Sequence, residues 1–106
     1  MEYLDIWDNL ITSVSAGMLS GSKNLISLDL FFNHISLIEN YAFNDLKNLS
    51  ALDLSSNYLE DASNYTFIGL DNLVLLEIYD NLFFSLKPNT FSFLPNLLVL
   101  DLSNNL

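Results

Sequence analysis

The chain repeats itself every 24 residues, and no other feature constrains its fold as strongly. Leu25, Leu49, Leu73 and Leu97 stand one period apart, and Met1 fills the same slot one period earlier. With Met1 as slot one, slot four reads Leu4, Leu28, Leu52, Leu76 and Leu100, and slot six reads Ile6, Leu30, Leu54, Ile78 and Leu102. Slot nine is Asn throughout: Asn9, Asn33, Asn57, Asn81 and Asn105. Slot nineteen reads Leu19, Phe43, Phe67 and Phe91, and the last slot reads Asn24, Asn48, Asn72 and Asn96. The 106 residues divide into units 1–24, 25–48, 49–72 and 73–96 with a partial unit 97–106. There are no insertions, and therefore no internal domain boundary.

Each unit is too small to bury its own apolar side chains, so stability must come from stacking units on one another. Slots three to seven read as a short strand, with slots four and six pointing inward and three, five and seven pointing outward. Strands of successive units, such as 51–54 and 75–78, are expected to lie parallel and about 4.8 Å apart. Slots one, eleven, fourteen, nineteen and twenty-two close the core from the other side. Ser22 stands where Leu46, Leu70 and Leu94 stand, and Ala62 is small for its slot. Both predict local under-packing, on the order of 1–3 kcal/mol each. The Asn column reads as structural, because a buried amide must find partners and the turning backbone of neighbouring units offers them.

The unit L-x-x-L-x-L-x-x-N-x-L resembles the leucine-rich repeat, and residues 86–106 carry the likeness most fully. A 24-residue unit with Phe at slot nineteen is similar to the subtype common in extracellular proteins, including Toll-like receptor ectodomains. The resemblance implies an α/β repeat solenoid. Its arc would have a short parallel β-sheet on the concave face and irregular or 3-10 segments on the convex face. It also implies a non-catalytic scaffold for protein binding. Extracellular members of this family usually carry Cys-rich caps, whereas this chain has no Cys and neither end reads as a polar capping unit. The expectation is therefore an apparently uncapped stretch of a longer array. The alternative is an assembly module that stacks end to end on further repeats or sister chains.

Charge narrows the partner. Thirteen acids against three lysines give a net charge of −10, so nucleic acid, which needs clustered Lys and Arg, is not expected. No apolar run is long enough to insert into a membrane. Slot five is acidic in every unit, as Asp5, Asp29, Asp53, Glu77 and Asp101, and slot eight adds Asp8 and Asp80. These five and two make seven of the thirteen acids on one face, while Lys23, Lys47 and Lys87 fall on other slots. Aromatic residues share the face: Trp7, Phe31 and Tyr79 at slot seven, Phe32 at slot eight, and His34 and Tyr58 at slot ten. Trp7 and Phe31 are expected to be direct neighbours. Exposed aromatics grouped in this way are anchors for protein partners, and the carboxylates favour a locally basic one. In this family Asp at slot five is also common as a merely solvated residue. Five strands offer on the order of 300 Å², less than the roughly 800 Å² a partner takes in a standard interface. The segment is thus expected to hold part of a binding surface.

The sequence has one His and no Gly-x-Ser-x-Gly elbow, so no enzyme is expected. No cofactor or metal is expected either, Cys being absent and the carboxylates lying on an open face. Asn48-Leu49-Ser50 and Asn64-Tyr65-Thr66 are glycosylation acceptor motifs, with Asn64 on the outer surface and Asn48 leading into a strand. The resemblance points to an extracellular protein or the ectodomain of a membrane protein. With Glu2, Asp5 and Asp8 among its first eight residues the N-terminus does not read as a secretory signal, and together with the lack of Cys this leaves a cytoplasmic location as the alternative.

Overall fold

The computed structural model describes residues 1–106. It contains β1 (Tyr3–Asp5), β2 (Ser13–Val14), β3 (Ser27–Asp29), β4 (Leu37–Ile38), β5 (Ala51–Asp53), β6 (Leu75–Glu77) and β7 (Val99–Asp101). Five strands form one parallel sheet in the order β1-β3-β5-β6-β7, and β2 pairs with β4 in a second small sheet. The register follows the sequence period without a slip: Leu4 faces Leu28, Leu28 faces Leu52, Leu52 faces Leu76 and Leu76 faces Leu100. The molecule is therefore the expected leucine-rich-repeat arc.

Each strand of the five-stranded sheet is three residues long, not five. The ladder nonetheless runs on, with the Leu30 N–H donating to the Asp53 carbonyl at 2.8 Å and Leu54 to Glu77 at 2.8 Å. Slot eight explains the early end of the pleat. Asp8, Phe32, Ser56, Asp80 and Asn104 all have left-handed φ values between 54° and 57°, so the chain must leave the extended region ahead of them. The returning arms contain no helix. They are chained turns, as where Leu46 N–H donates to Phe43, Leu49 to Leu46, Leu70 to Phe67 and Leu73 to Leu70. No helix is long and apolar enough to cross a membrane.

The core follows the predicted slots in the central units. Leu28, Leu52, Leu76, Leu30, Leu54, Ile78, Leu25, Leu49 and Leu73 are buried, and Phe43, Phe67 and Phe91 stack at centroid distances of 6.5 and 5.8 Å. Leu4, Ile6, Leu97, Leu100 and Leu102 in the outer units are only partly covered. Slot eighteen joins the core unannounced, through Ala42, Thr66 and Thr90. The two threonines fit because their hydroxyls bond locally: Thr66 Oγ1 accepts the Ser63 N–H and Thr90 Oγ1 donates to the Lys87 carbonyl.

The Asn column is the polar spine. Asn57 Oδ1 accepts the Ile35 N–H of the preceding unit at 2.9 Å, while Nδ2 donates to Leu30, Leu54 and Ser55 carbonyls. Asn33, Asn81 and Asn105 repeat the pattern one period apart. The second Asn column also ties units together: Asn48, Asn72 and Asn96 donate to the Lys23, Lys47 and Asp71 carbonyls.

Candidate functional site

The outward slots of the sheet and the adjoining slots eight to ten form one face. Four of its five ladder acids have a task that the sequence reading missed. The Oδ1 atoms of Asp5, Asp29, Asp53 and Asp101 accept the N–H two residues ahead, from Trp7, Phe31, Ser55 and Ser103. This Asx-type bond braces the turn into the left-handed slot eight. The signal was present in the sequence, as Asp three residues before the left-handed position in every unit but one. In that unit Glu77 is one methylene longer and stays outside the pattern.

Packed carboxylates disturb one another where water is thin. Burial pushes the Asp53 carboxyl above its ordinary value, and the charges of Asp29 and Asp101 add to the effect against the opposing Ser55 bond. Glu77 is raised by burial and by Asp53, Asp101 and Asp29. Tyr79 is raised too, by burial and then by Asp53 and Glu77. Asp101 is lowered, because the Ser103 hydroxyl and N–H bond to its ionised form. No lysine neutralises this face: Lys47 pairs with Asp71 at 3.7 Å and Lys87 with Asp61 at 3.5 Å, both on exposed arms.

The sign for stability follows by linkage. Asp53 and Glu77 bind protons more readily in the folded chain than in the unfolded one. Their favourable contribution is complete below the ordinary carboxylate range and is lost as pH rises through their folded values. Asp101 works oppositely, its contribution being lost as pH falls through its lowered value. Glu77→Gln is therefore expected to raise Tm at pH 7 and to flatten the slope of Tm between neutrality and the carboxylate range. Thermal melts of both proteins across that range check it; a lower Tm at pH 7 would contradict the electrostatic account.

The aromatics come together more closely than spacing alone implied. Trp7 and Phe31 are neighbours, with ring centroids 6.4 Å apart. Phe31 also reaches Tyr79, two strands away, at 6.3 Å, and Phe32 at 6.0 Å. That reach is made possible by Ser55, the slot-seven residue between Phe31 and Tyr79, which is fully buried. Slot seven is thus not uniformly outward: a small side chain there lets its larger neighbours close over it. His34 meets Tyr58 edge-on at 5.4 Å, outside the stripe. Trp7 is 50% exposed, Phe32 54% and Tyr58 49%. Asp8, His34 and Asp80 are exposed as well.

Alongside the ladder runs a groove of about 240 Å³, lined at slots eight to ten by Phe32, His34, Ser56, Tyr58, Asp80 and Leu82 over the Asn spine. A second concavity of about 240 Å³ lies over the strands themselves, between Asp29, Asp53 and Glu77. No three carboxylate or imidazole groups converge tightly enough to hold a metal ion. Away from this face, Asn48 is exposed but its Nδ2 is engaged with the Lys23 carbonyl at 2.9 Å. Asn64 is half-buried on the outer arm, and Thr66 of its motif is buried, so the expected order of accessibility, Asn64 above Asn48, is reversed.

The sequence profile of the leucine rich repeat family matches residues 1–59, 23–83 and 48–106. Among solved structures, TLR13 in its complex with ssRNA13 is 33% identical and superposes with a TM-score of 0.89 over 95% of this chain. Toll of Drosophila, in its complex with Spatzle, is 33% identical with a TM-score of 0.88 over 92% of this chain. This chain spans only 15% and 13% of those two proteins. No curated protein matches it.

Proposed function

This chain belongs to the leucine-rich repeat family, and we propose that it is a non-catalytic binding segment of a longer recognition ectodomain. It docks a locally basic protein on the concave face, through Trp7, Phe31, Phe32, Tyr79 and the carboxylates beside them. In this reading the array continues beyond residues 1–106 and its location is extracellular.

The observation that carries the proposal is Phe32. A bulky residue at φ 57° costs on the order of 1–2 kcal/mol in backbone strain, and its ring, 54% exposed, recovers little by burial. The repeat imposes this backbone at slot eight in every unit, so the informative feature is the side chain placed there: an exposed aromatic beside Phe31 and Trp7 is an anchor for a protein partner. The fold itself is compatible with nucleic acid, since one structural neighbour is bound to ssRNA13. The charge of this segment argues for a protein instead, because none of its three cations stands on the face.

The test is calorimetric titration of a partner isolated from the protein's own extracellular medium. Trp7→Ala with Phe31→Ala is expected to weaken binding by tenfold or more, from a loss of about 2 kcal/mol at a hot-spot pair. The melting curve should stay close to wild type, because neither ring lies in the core. Rising salt should weaken the wild-type complex. Unchanged affinity in the double variant would sink the proposal.

A further inference from the structure

We infer that the groove beside the strand ladder is the receptor for one arginine side chain of the docking partner, an assignment that rests on the concave-face reading above. Three units build it, each giving slots eight, nine and ten. Its volume, about 240 Å³, is below the ~300 Å³ at which drug-sized ligand pockets begin and suits a single long side chain.

The chemistry left free in the groove selects the occupant. Its floor looks polar but is already committed. Asn57 has Oδ1 on the Ile35 N–H and Nδ2 on three carbonyls, and Asn33 and Asn81 are used in the same way. The backbone N–H groups of Phe32, Ser56 and Asp80, and of His34, Tyr58 and Leu82, donate to carbonyls of neighbouring units. The Ser56 hydroxyl donates to Asp80 Oδ2 at 2.8 Å. What remains for a ligand is the second oxygen of Asp80, the carbonyls of the slot-eight and slot-ten residues, the ring nitrogens of His34 and the rings of Phe32 and Tyr58, His34 and Tyr58 meeting edge-on.

An anion would face Asp80 with the amides already occupied. A neutral apolar group would leave the carboxylate desolvated and unpaired. A cation with a flat face meets both requirements. Guanidinium stacks on aromatic rings and forks onto a carboxylate, which a compact ammonium does less well. The Ser56 bond and the left-handed backbone of Asp80, at φ 54°, hold the carboxylate in place before the ligand arrives.

The experiment is an NMR titration of the ¹⁵N-labelled chain with acetyl-Gly-Arg-Gly-amide. Its lysine and citrulline counterparts are run in parallel, citrulline having the arginine shape without the charge. Saturable shifts are expected at residues 32–34, 56–58 and 80–82, with the arginine peptide at least fivefold tighter than lysine and citrulline not saturating. Asp80→Asn should weaken the arginine peptide at least fivefold; Asn tolerates the left-handed backbone, so this variant keeps its fold. Tyr58→Ala should do the same. Shifts spread evenly along Asp5, Asp29, Asp53, Glu77 and Asp101, or equal affinity in Asp80→Asn, would overturn the assignment. The two readings fail separately. If the partner depends on Trp7 and Phe31 while Asp80→Asn binds the arginine peptide like wild type, the groove falls and the face stands. If the peptide seats in the groove while the partner ignores Trp7 and Phe31, the face falls.

Discussion

Asn57→Ala is expected to lower the unfolding free energy by on the order of 3–5 kcal/mol. The side chain makes four hydrogen bonds at a site 4% exposed. Its loss leaves the buried Ile35 N–H without a partner, which costs about 1–3 kcal/mol. It also strips one of two amides from the Leu30 and Leu54 carbonyls, each of which is shared between two Asn residues of the column. Further bonds of this kind contribute about 0.5–1.5 kcal/mol each. The defect sits in the middle unit, so it weakens the coupling that a repeat array depends on. Asn9→Ala is the control. Asn9 is exposed and bonds only to carbonyls of its own unit, Ile6 and Trp7. Urea unfolding followed by circular dichroism should separate the two variants widely. Near-equal midpoints would mean that the spine is not what joins the units.

Gly69→Ala is expected to cost more than about 3 kcal/mol, combining left-handed strain with overpacking. Gly69 has φ +94°, and a Cβ there would lie 2.5–2.8 Å from the Cα, O and C atoms of Asn44. Those are backbone atoms of the preceding unit, so the strain cannot be relieved by turning a side chain. The other two glycines divide the effect into parts. Gly21 has φ +81° but nothing within 4 Å of an added Cβ, so Gly21→Ala should show the backbone strain alone, about 1–2 kcal/mol. Gly17 has neither constraint, and Gly17→Ala should be neutral or gain up to about 1 kcal/mol through the unfolded chain. Thermal melts of the three variants give the order. A Gly69→Ala variant no worse than Gly21→Ala would show that adjacent arms slide apart easily, against the close stacking described above.

The period, the sheet direction and the register were all legible in the residues, because a strict 24-residue repeat with inward Leu at fixed slots permits only one stacking. The Asn spine was legible for the same reason: one polar residue recurring amid apolar slots must find backbone partners. The candidate site was legible as a list of side chains but not as an arrangement. Asp5, Asp29, Asp53 and Asp101 read as free charges, whereas each binds its own turn. Ser55 read as outward and is buried, because Phe31 and Tyr79 meet across it.

Periodicity along the chain therefore decided which slots face the core, since burial of a repeating apolar pattern depends on spacing alone. Contacts between unlike residues of different units were decided only in three dimensions. Phe31 and Tyr79 are 48 positions apart, and whether their rings touch depends on the size of what stands between them. The groove at Asp80 arises in the same way, from left-handed backbone repeated in three neighbouring units and side chains that differ in each.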